Sequence, residues 1–426
     1  MDYIVLKTNF QTGFRHSFQA KYEIREFNPP NFGNKIPIGL HDNLQLVVTS
    51  VKKGQIAYCK DNQVFYHSDV FADSKEFVHA SIDLPTENIR YGTPDWIYEE
   101  EIFSNNIGTW WSPGGNYLAF IGTDNSNVSS QELLYFQTQS FKTIDQKRVT
   151  FPYPKAGETR SHNTPIINIF THNVNKRETR MIKKPDEIND EMILSFLRWI
   201  NEDYLLITWL DREQRKAWIS LTVLDTKETK IFKHETVNGW TPFLKNDNEP
   251  IYDTKSESLY MILPRTGEPH EYRGIARIKI NFNEVNPEVE WLVTPPFDAD
   301  DIIRVNGSDI FFLSSGPKTY EQHMFWYKEG FHDQRSPICL SCDNVNCTYS
   351  EFYTSPKADF VVQNCRGPKP SSYTLKKLTL TQDEDKTEEA RLGICRPDDS
   401  DKVLKLLRSV VILKERLPVT EIPRIA

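Results

Sequence analysis

Short strand-like apolar runs recur from one end of the chain to the other. They are NLQLVVTS (43–50), NYLAFIG (116–122), TPIINIFT (164–171), YLLITWL (204–210), AWISLTVLD (217–225), SLYMIL (258–263), IARIKIN (275–281), DIFFLSS (309–315), FVVQNC (360–365) and SYTLKKLTL (372–380). Clusters of Gly, Pro, Asn and Asp separate these runs, and amphipathic helical patterns are nearly absent. Many short strands with evenly spaced turns predict an all-β architecture.

The length of the chain narrows this architecture. Its 426 residues exceed the roughly 250 that a single β-sandwich holds, and no linker divides the sequence. A β-propeller accommodates such a length by repeating a four-stranded blade of about 40–50 residues around an axis. The turn sequence SPGGNYLAF at 112–120 is typical of such blades. We therefore expect a β-propeller.

Composition and charge argue against several classes of protein. Aromatic residues make up 12% of the chain, which favours strands because large flat side chains pack well on a pleated surface. The net charge of −8 is spread along the sequence without a basic stripe, so a nucleic-acid partner is not expected. There is no apolar run near 18 residues and no signal-peptide pattern in MDYIVLKTNF.

The common catalytic motifs are absent from the sequence. The nearest approach to the nucleophile elbow G-x-S-x-G is Trp110-Trp111-Ser112-Pro113-Gly114, in which Trp110 stands where a glycine is needed and a strand-like run follows. We interpret it as a blade turn. P-loop, G-x-G-x-x-G and H-E-x-x-H sequences do not occur. The residues therefore predict no catalytic group, no metal site and no cofactor.

One segment concentrates negative charge among aromatic residues. Residues 94–103 read PDWIYEEEIF, with Glu99, Glu100 and Glu101 adjacent. A short helical turn with its acids in water would explain the pattern. A cation site would also explain it, because neighbouring carboxylates repel each other unless a positive ligand arrives, and an ammonium group has three donors to share between two acids.

A second segment, 14–24 (FRHSFQAKYEI), places Arg15 among aromatic residues. Arginine keeps its charge when partly buried and donates well to oxygen acceptors. Both a structural salt bridge and a ligand contact remain open for this side chain.

The cysteines are unevenly placed: Cys339, Cys342, Cys347 and Cys365 cluster, whereas Cys59 and Cys395 stand alone. A four-cysteine zinc site normally has two C-x-x-C pairs, and only the first pair of the cluster has that spacing. We favour two disulfides, Cys339–Cys342 and Cys347–Cys365. The second would close a loop and so contribute about 3 kcal/mol to stability. Both would indicate an oxidising compartment.

Three N-x-S/T sequons, at Asn127, Asn306 and Asn346, are expected glycosylation sites in such a compartment. The expected disulfides indicate an oxidising compartment, whereas the sequence shows no signal peptide that would direct the chain to one. A natural product that extends beyond the present N-terminus would remove the disagreement.

Several segments together resemble the dipeptidyl peptidase IV family of the prolyl oligopeptidase clan. They appear in the family's order as RHSFQAKYEI (15–24), DWIYEEEIF (95–103), WWSPGGNYLAF (110–120), PYPKAGE (152–158), TWLDREQRK (208–216) and CLSCDNVNC (339–347). The resemblance runs almost the whole length of the chain. It implies an eight-bladed propeller that precedes an α/β-hydrolase domain, with the cysteines paired as favoured above.

The resemblance also implies a substrate site. In the family, the residues matching Glu100 and Glu101 hold the free N-terminus of a peptide, and the residue matching Arg15 contacts a backbone carbonyl of the peptide. Ser104 matches a minor pocket residue. The family places a Phe-Arg pair on a later blade, where this sequence offers only Phe243 and Lys245.

Two functions follow as expectations from this resemblance. Residues 1–395 would form a propeller that lacks about one blade at its N-terminus, and 396–426 would be a tail without the hydrolase domain. The chain would then be the substrate-recognition part of a serine-type dipeptidyl peptidase, unable to cut peptides by itself. It would alternatively be a regulatory module, like the family's inactive channel-binding members. The resemblance implies peptide N-termini of Xaa-Pro or Xaa-Ala type as partners. It also implies a homodimer or membrane-protein partner and a secreted or cell-surface location.

Overall fold

The structure of the chain is a computed structural model. It describes residues 3–28, 31–72, 77–81, 86–136, 146–157, 164–224, 229–236, 239–243, 249–264, 272–279, 289–293, 298–329, 337–355, 359–382 and 388–394. Contacts between Cα atoms divide the chain into two compact units. Unit 1 is Met1–Glu257 with Ile280–Glu288, and unit 2 is Ser258–Lys279 with Val289–Ala426.

Unit 1 is built from successive antiparallel meanders. The first comprises β1 (Tyr3–Thr12), β2 (Phe18–Asn28), β3 (Asn31–Phe32) and β4 (Ile36–Pro37), followed by a 3₁₀ turn at Gly39–His41. The second comprises β5 (Leu46–Thr49), β6 (Ile56–Lys60), β7 (Gln63–His67) and β8 (Val78–His79) in sequence order.

A five-stranded sheet and a hairpin come next in unit 1. The sheet contains β9 (Ile89–Tyr91), β10 (Thr109–Trp111), β11 (Tyr117–Asp124), β14 (Ile166–Asn173) and β15 (Glu178–Met181), and β12 (Ser130–Phe136) pairs with β13 (Gln146–Pro152) as a separate hairpin. The meander β16 (Ile193–Trp199), β17 (Tyr204–Leu210), β18 (Lys216–Val223) and β19 (Thr229–Glu235) follows, and β20 is Ile251–Asp253.

Unit 2 repeats the same construction. Its strands are β21 (Ser258–Pro264), β22 (Arg273–Lys279), β23 (Val289–Val293), β24 (Ala299–Asn306), β25 (Asp309–Ser315), β26 (Gln322–Lys328), β27 (Ile338–Cys339), β28 (Cys347–Thr354), β29 (Phe360–Pro368), β30 (Ser372–Gln382) and β31 (Glu388–Ile394). Nearly all pairs are antiparallel; β26 and β28 meet in one parallel contact, Gln322 with Tyr349.

The apolar runs of the sequence become the central strands of these sheets. In β11, Leu118 and Phe120 are fully buried on one face and pack with Phe170 of β14 and with Tyr66 of β7. Side chains of successive strand residues point to opposite faces, so predominantly apolar runs such as β17 are buried on both faces. The expected all-β fold made of blade-like meanders is confirmed.

The turn 112–116 shows how neighbouring meanders are joined within unit 1. Ser112 is 1% exposed, and its hydroxyl accepts the N–H groups of Asn116 and Tyr117 at 3.1 and 2.9 Å. The same hydroxyl donates to the Glu202 carboxylate, which also accepts the backbone N–H of Gly114. This serine is therefore a structural residue of a turn, as the sequence interpretation has it.

Among the described residues, the structure has no helix that is both long enough and apolar enough to span a membrane.

Candidate functional site

The acidic segment forms a π-helical turn at Tyr98–Ile102. Its entry is fixed by Asp95, whose carbonyl accepts the N–H of Glu99 at 2.9 Å and whose carboxylate accepts the N–H of Tyr98 at 3.0 Å. Its end is marked by Ser104, which has a left-handed backbone with φ of 53°. Single π turns are rare and occur often at functional sites.

The three adjacent glutamates have three different environments. Glu99 is 2% exposed, the side chain of Glu100 is 9% exposed, and Glu101 is exposed. The interpretation that all three acids face water is therefore wrong for the first two. The π turn presents one acid inward, one at the boundary with solvent and one outward.

Glu99 holds the turn that joins β1 and β2 in place through hydrogen bonds. Its Oε1 atom accepts the backbone N–H groups of His16 and Ser17 at 2.8 and 2.7 Å. A buried carboxylate needs such donors to offset its lost hydration. The sequence did not reveal this role of Glu99, because no local pattern distinguishes it from the two acids that follow.

Glu100 lies directly against Arg15. The backbone N–H of Arg15 donates to Oε1 of Glu100 at 3.1 Å, and the guanidinium Nε lies 3.3 Å from Oε2. The Arg15 side chain is 74% exposed, whereas that of Glu100 is mostly covered. The structure thus brings Arg15 against Glu100, two of the residues that the resemblance indicates, and the third, Glu101, follows on the same turn with its side chain exposed.

Asp95 and Tyr98 hold the π turn in the interior of unit 1. Asp95 is 1% exposed, and its burial raises the pKa of the carboxyl to about 6, although the hydrogen bond from Tyr98 and the charge of Arg90 oppose the rise. The Tyr98 hydroxyl accepts the N–H of Leu194 at 3.0 Å, and burial raises the pKa of this phenol well above its usual range. The turn is therefore anchored at both its entry and its first residue.

The remaining pocket residues implied by the resemblance are placed differently. Ser104 is half-buried at the end of the π turn. Phe243 is fully buried, and its carbonyl accepts the hydroxyl of Ser195. A ring in that position cannot line an open pocket, so the suggestion that Phe243 stands in for the family's phenylalanine is not supported. Lys245 lies outside the described residues.

An aromatic cavity begins at Phe103, immediately after the acidic turn. Its volume is about 380 Å³, and its walls include Trp110, Trp111 and Trp199. The indole N–H of Trp199 donates to the carbonyl of Trp110 at 3.1 Å, which fixes one wall. The ion pair between Arg198 and Glu249, at 2.8 Å, supplies the charged groups of the cavity. Only the Trp-Trp pair at 110–111 signals this feature in the sequence.

Both predicted disulfides are present in unit 2. Cys339 bonds to Cys342 and Cys347 bonds to Cys365, each with Cα atoms 5.8 Å apart. The four-cysteine zinc alternative is therefore wrong for this structure. Cys59 is a buried free thiol whose pKa burial raises to about 12, and Cys395 lies outside the described residues.

The three sequon asparagines are all exposed: Asn127, Asn306 and Asn346. Exposure makes them accessible to a glycosyltransferase, and their glycosylation stays a prediction.

Comparison with known proteins places this architecture in a family. The family model described as the dipeptidyl peptidase IV (DPP IV) N-terminal region matches residues 1–372. Inactive dipeptidyl peptidase 10 of Rattus norvegicus is 24% identical over 387 residues, which are 87% of this chain and 46% of that protein. Venom dipeptidyl peptidase 4 of Vespa velutina is 26% identical over 389 residues, covering 86% of this chain and 47% of that protein.

Dipeptidyl peptidase 4 of Felis catus is 24% identical over 392 residues, covering 88% of this chain and 48% of that protein. Among solved structures, Porphyromonas gingivalis dipeptidyl peptidase 4 superposes with a TM-score of 0.70 at 16% identity, covering 91% of this chain and 55% of that one. The chain spans about half the length of these curated relatives. It belongs to the dipeptidyl peptidase IV family, with the β-propeller fold of that family's N-terminal region.

Proposed function

We propose that this chain is the substrate-recognition region of a serine-type dipeptidyl peptidase, and that Glu100 and Glu101 hold the free N-terminal amine of a peptide. One observation carries the proposal. A mostly covered glutamate, Glu100, lies beside an exposed glutamate and an exposed arginine in a π turn whose position is fixed by buried contacts.

The chemistry of the three groups suits a peptide N-terminus. An ammonium group donates three hydrogen bonds, and two neighbouring carboxylates can accept them together. Because the Glu100 side chain is only 9% exposed, its attraction for a cation is screened by water less than that of a surface acid. The Glu100–Arg15 contact is made through Nε, and the Arg15 side chain is 74% exposed, so its guanidinium is accessible to a peptide carbonyl.

Such a site would hold the free amine of a peptide at a fixed distance from the bond that is cut. An enzyme that removes two residues must recognise the free amine and present the second peptide bond to its nucleophile. Fixing both ends of that span converts the cleavage into an effectively intramolecular step. This lowers the activation free energy by several kcal/mol. By this proposal residues 1–426 bind and position the peptide, and Ser104 contributes at the rim of the site.

A regulatory module without peptidase activity is the second candidate. The observation that favours it is the similarity to inactive dipeptidyl peptidase 10. In that case the chain would act through its surface, as a binding partner of another protein. The two candidates differ in whether a free peptide amine is bound at all.

The remaining expectations accompany this proposal. Residues 1–395 would be the propeller and 396–426 a tail. The substrates would be Xaa-Pro or Xaa-Ala peptides, and a homodimer or a membrane protein would be the partner. Two disulfides and three exposed sequons support an oxidising compartment, on the outer face of the plasma membrane or outside the cell.

Calorimetric titration with a short Xaa-Pro peptide tests the proposal. The free-amine peptide is expected to bind, and its N-acetylated form is expected to bind at least 10-fold more weakly. Glu100→Gln and Glu101→Gln should each weaken binding by about 10–100-fold, since a charge-assisted hydrogen bond contributes about 1.5–3 kcal/mol.

Glu178→Gln is the matched control, because Glu178 also pairs with an exposed arginine in unit 1, Arg180, at 2.9 Å. Its affinity for the peptide should equal that of the unmodified chain. Equal binding of acetylated and free peptides would exclude the amine site and leave the regulatory module as the better account.

A further inference from the structure

His323 lies against the short loop that carries the Cys339–Cys342 disulfide in unit 2. One ring nitrogen of His323 and the two sulfur atoms all lie within 4.8 Å of one another. His323 is 1% exposed, whereas the two cysteines are partly exposed. One imidazole and two thiolates form a donor set that suits Zn²⁺.

The strand register explains why these residues meet. β27 runs antiparallel to β26, with Cys339 opposite Phe325 and Ile338 opposite Trp326. Continuing this register brings Ser341, one of the two residues between the cysteines, beside His323. Its hydroxyl lies 3.0 Å from Nδ1 of the imidazole and accepts the N–H of Met324 at 3.1 Å. The C-x-x-C loop is therefore folded around the imidazole ring.

A carboxylate lies near the second ring nitrogen of His323. Nε2 of His323 lies 3.7 Å from Oε2 of Glu321, which is 6% exposed. A carboxylate beside one ring N–H fixes the tautomer and orientation of a metal-binding histidine. With the proton on Nε2, Nδ1 is an acceptor; in the disulfide-bonded structure it accepts the Ser341 hydroxyl, which a metal would displace.

We propose that the loop 339–342 is a redox-gated zinc site, in which reduction of the Cys339–Cys342 disulfide allows both thiolates and His323 to bind one Zn²⁺. Three protein ligands leave a fourth tetrahedral position for water. A dithiol reductant supplies the two electrons and two protons that convert the S–S bond into two thiols, and is itself oxidised to a disulfide. Zinc binding then releases both thiol protons, because the sulfurs coordinate as thiolates.

Exposure distinguishes this disulfide from its neighbour. Cys347 and Cys365 are 4% and 7% exposed, so a reductant reaches their bond less easily than the partly exposed one. Mild reduction should therefore open Cys339–Cys342 first. The site then forms while the other bond still holds β28 to β29.

Metal titration of the full chain tests the proposal. After limited reduction with a water-soluble phosphine, mass spectrometry should show new free thiols at Cys339 and Cys342, with Cys347 and Cys365 still joined; Cys59 is a free thiol before and after reduction. Titration with Co²⁺ should then give thiolate-to-cobalt absorption that saturates at one equivalent, and Zn²⁺ should displace the cobalt. The unreduced chain should give no such absorption.

Three variants assign the ligands. Cys339→Ser with Cys342→Ser should abolish the absorption, and His323→Ala should weaken Co²⁺ binding at least 10-fold. Glu321→Gln, which leaves all three ligands in place, should weaken binding by about 10–100-fold. His172→Ala is the matched control, because His172 is equally buried and lies in unit 1.

Circular dichroism of every variant should show the β-sheet spectrum of the unmodified chain. If His323→Ala does not fold, Glu321→Gln and the cysteine pair decide the question. Absence of cobalt binding after reduction, or unchanged affinity in a folded His323→Ala or Glu321→Gln variant, would overturn the proposal.

Discussion

Nε of Arg15 lies 3.3 Å from Oε2 of Glu100, although 85 residues separate them in the chain. Their contact is supported by the neighbouring bond of Glu99 to the backbone at His16 and Ser17. One acid of the pair 99–100 therefore positions the β1–β2 turn, and the other meets the arginine that the turn carries. This relationship ties the proposed peptide site to the folding of unit 1.

The bonds of Glu99 predict a structural role for this residue. Replacing it by alanine leaves two backbone N–H groups without an acceptor and should lower the free energy of unfolding by about 2–3 kcal/mol. Glu99→Gln keeps an acceptor oxygen and should cost less than Glu99→Ala. Urea denaturation followed by intrinsic fluorescence measures both values.

Glu101→Ala is the control for this comparison, because the side chain of Glu101 is exposed. It should change stability by less than about 0.5 kcal/mol. A similar cost for Glu99→Ala and Glu101→Ala would contradict the role assigned to Glu99.

The raised pKa of Asp95 predicts a pH-dependent stability. Its pKa of about 6 lies above the 3.8 of an unperturbed aspartate, so the folded chain binds this proton more tightly than the unfolded chain does. The stabilising contribution is complete below pH 4 and is lost as pH rises through 6, a change of up to about 3 kcal/mol. Asp95→Asn should remove this part of the pH dependence, as measured by urea denaturation between pH 4 and 7.

Asp124→Asn provides the comparison for that titration, because Asp124 is only partly buried and bonds to Ser126 in a surface turn. Its pH profile should follow that of the unmodified chain. If the pH profile of Asp95→Asn also followed that of the unmodified chain, the raised pKa of Asp95 would not be the source of the pH-dependent stability.

Removing the Cys347–Cys365 disulfide should lower the free energy of unfolding by a measurable amount. The bond joins residues 18 apart in sequence, and a loop of that length contributes about 3 kcal/mol by restricting the unfolded chain. Replacing both cysteines by serine should therefore lower stability by about that amount. Peptide mapping under non-reducing conditions should first show the two cysteines joined, and free thiols there would contradict the assignment.

If residues 1–426 recognise a peptide without cutting it, as proposed, the difference is measurable. The purified chain should release no product from an Xaa-Pro chromogenic substrate, even at concentrations at which a peptide binds. An active dipeptidyl peptidase measured in parallel supplies the positive control. Turnover that co-purifies with the chain and is lost in Glu100→Gln would mean that the chain itself is catalytic.

The local pattern of the sequence determined most of the fold. Runs such as YLLITWL and DIFFLSS became β17 and β25 at the bounds that the pattern indicates. Strand runs are readable because burial against neighbouring strands acts on each residue in turn. The cysteine pairs were also readable, since close spacing limits the possible partners.

The sequence alone named Arg15, Glu100 and Glu101 through a resemblance, and it could not assign their environments. That Glu99 is buried while Glu101 is exposed depends on the π turn, which is set by contacts from Asp95 and Leu194. His323 next to Cys339 depends in the same way on the register of β26 and β27. Pairing between distant strands decides such contacts, and single positions of the sequence do not reveal it, because every residue except proline offers a neighbouring strand the same backbone donor and acceptor.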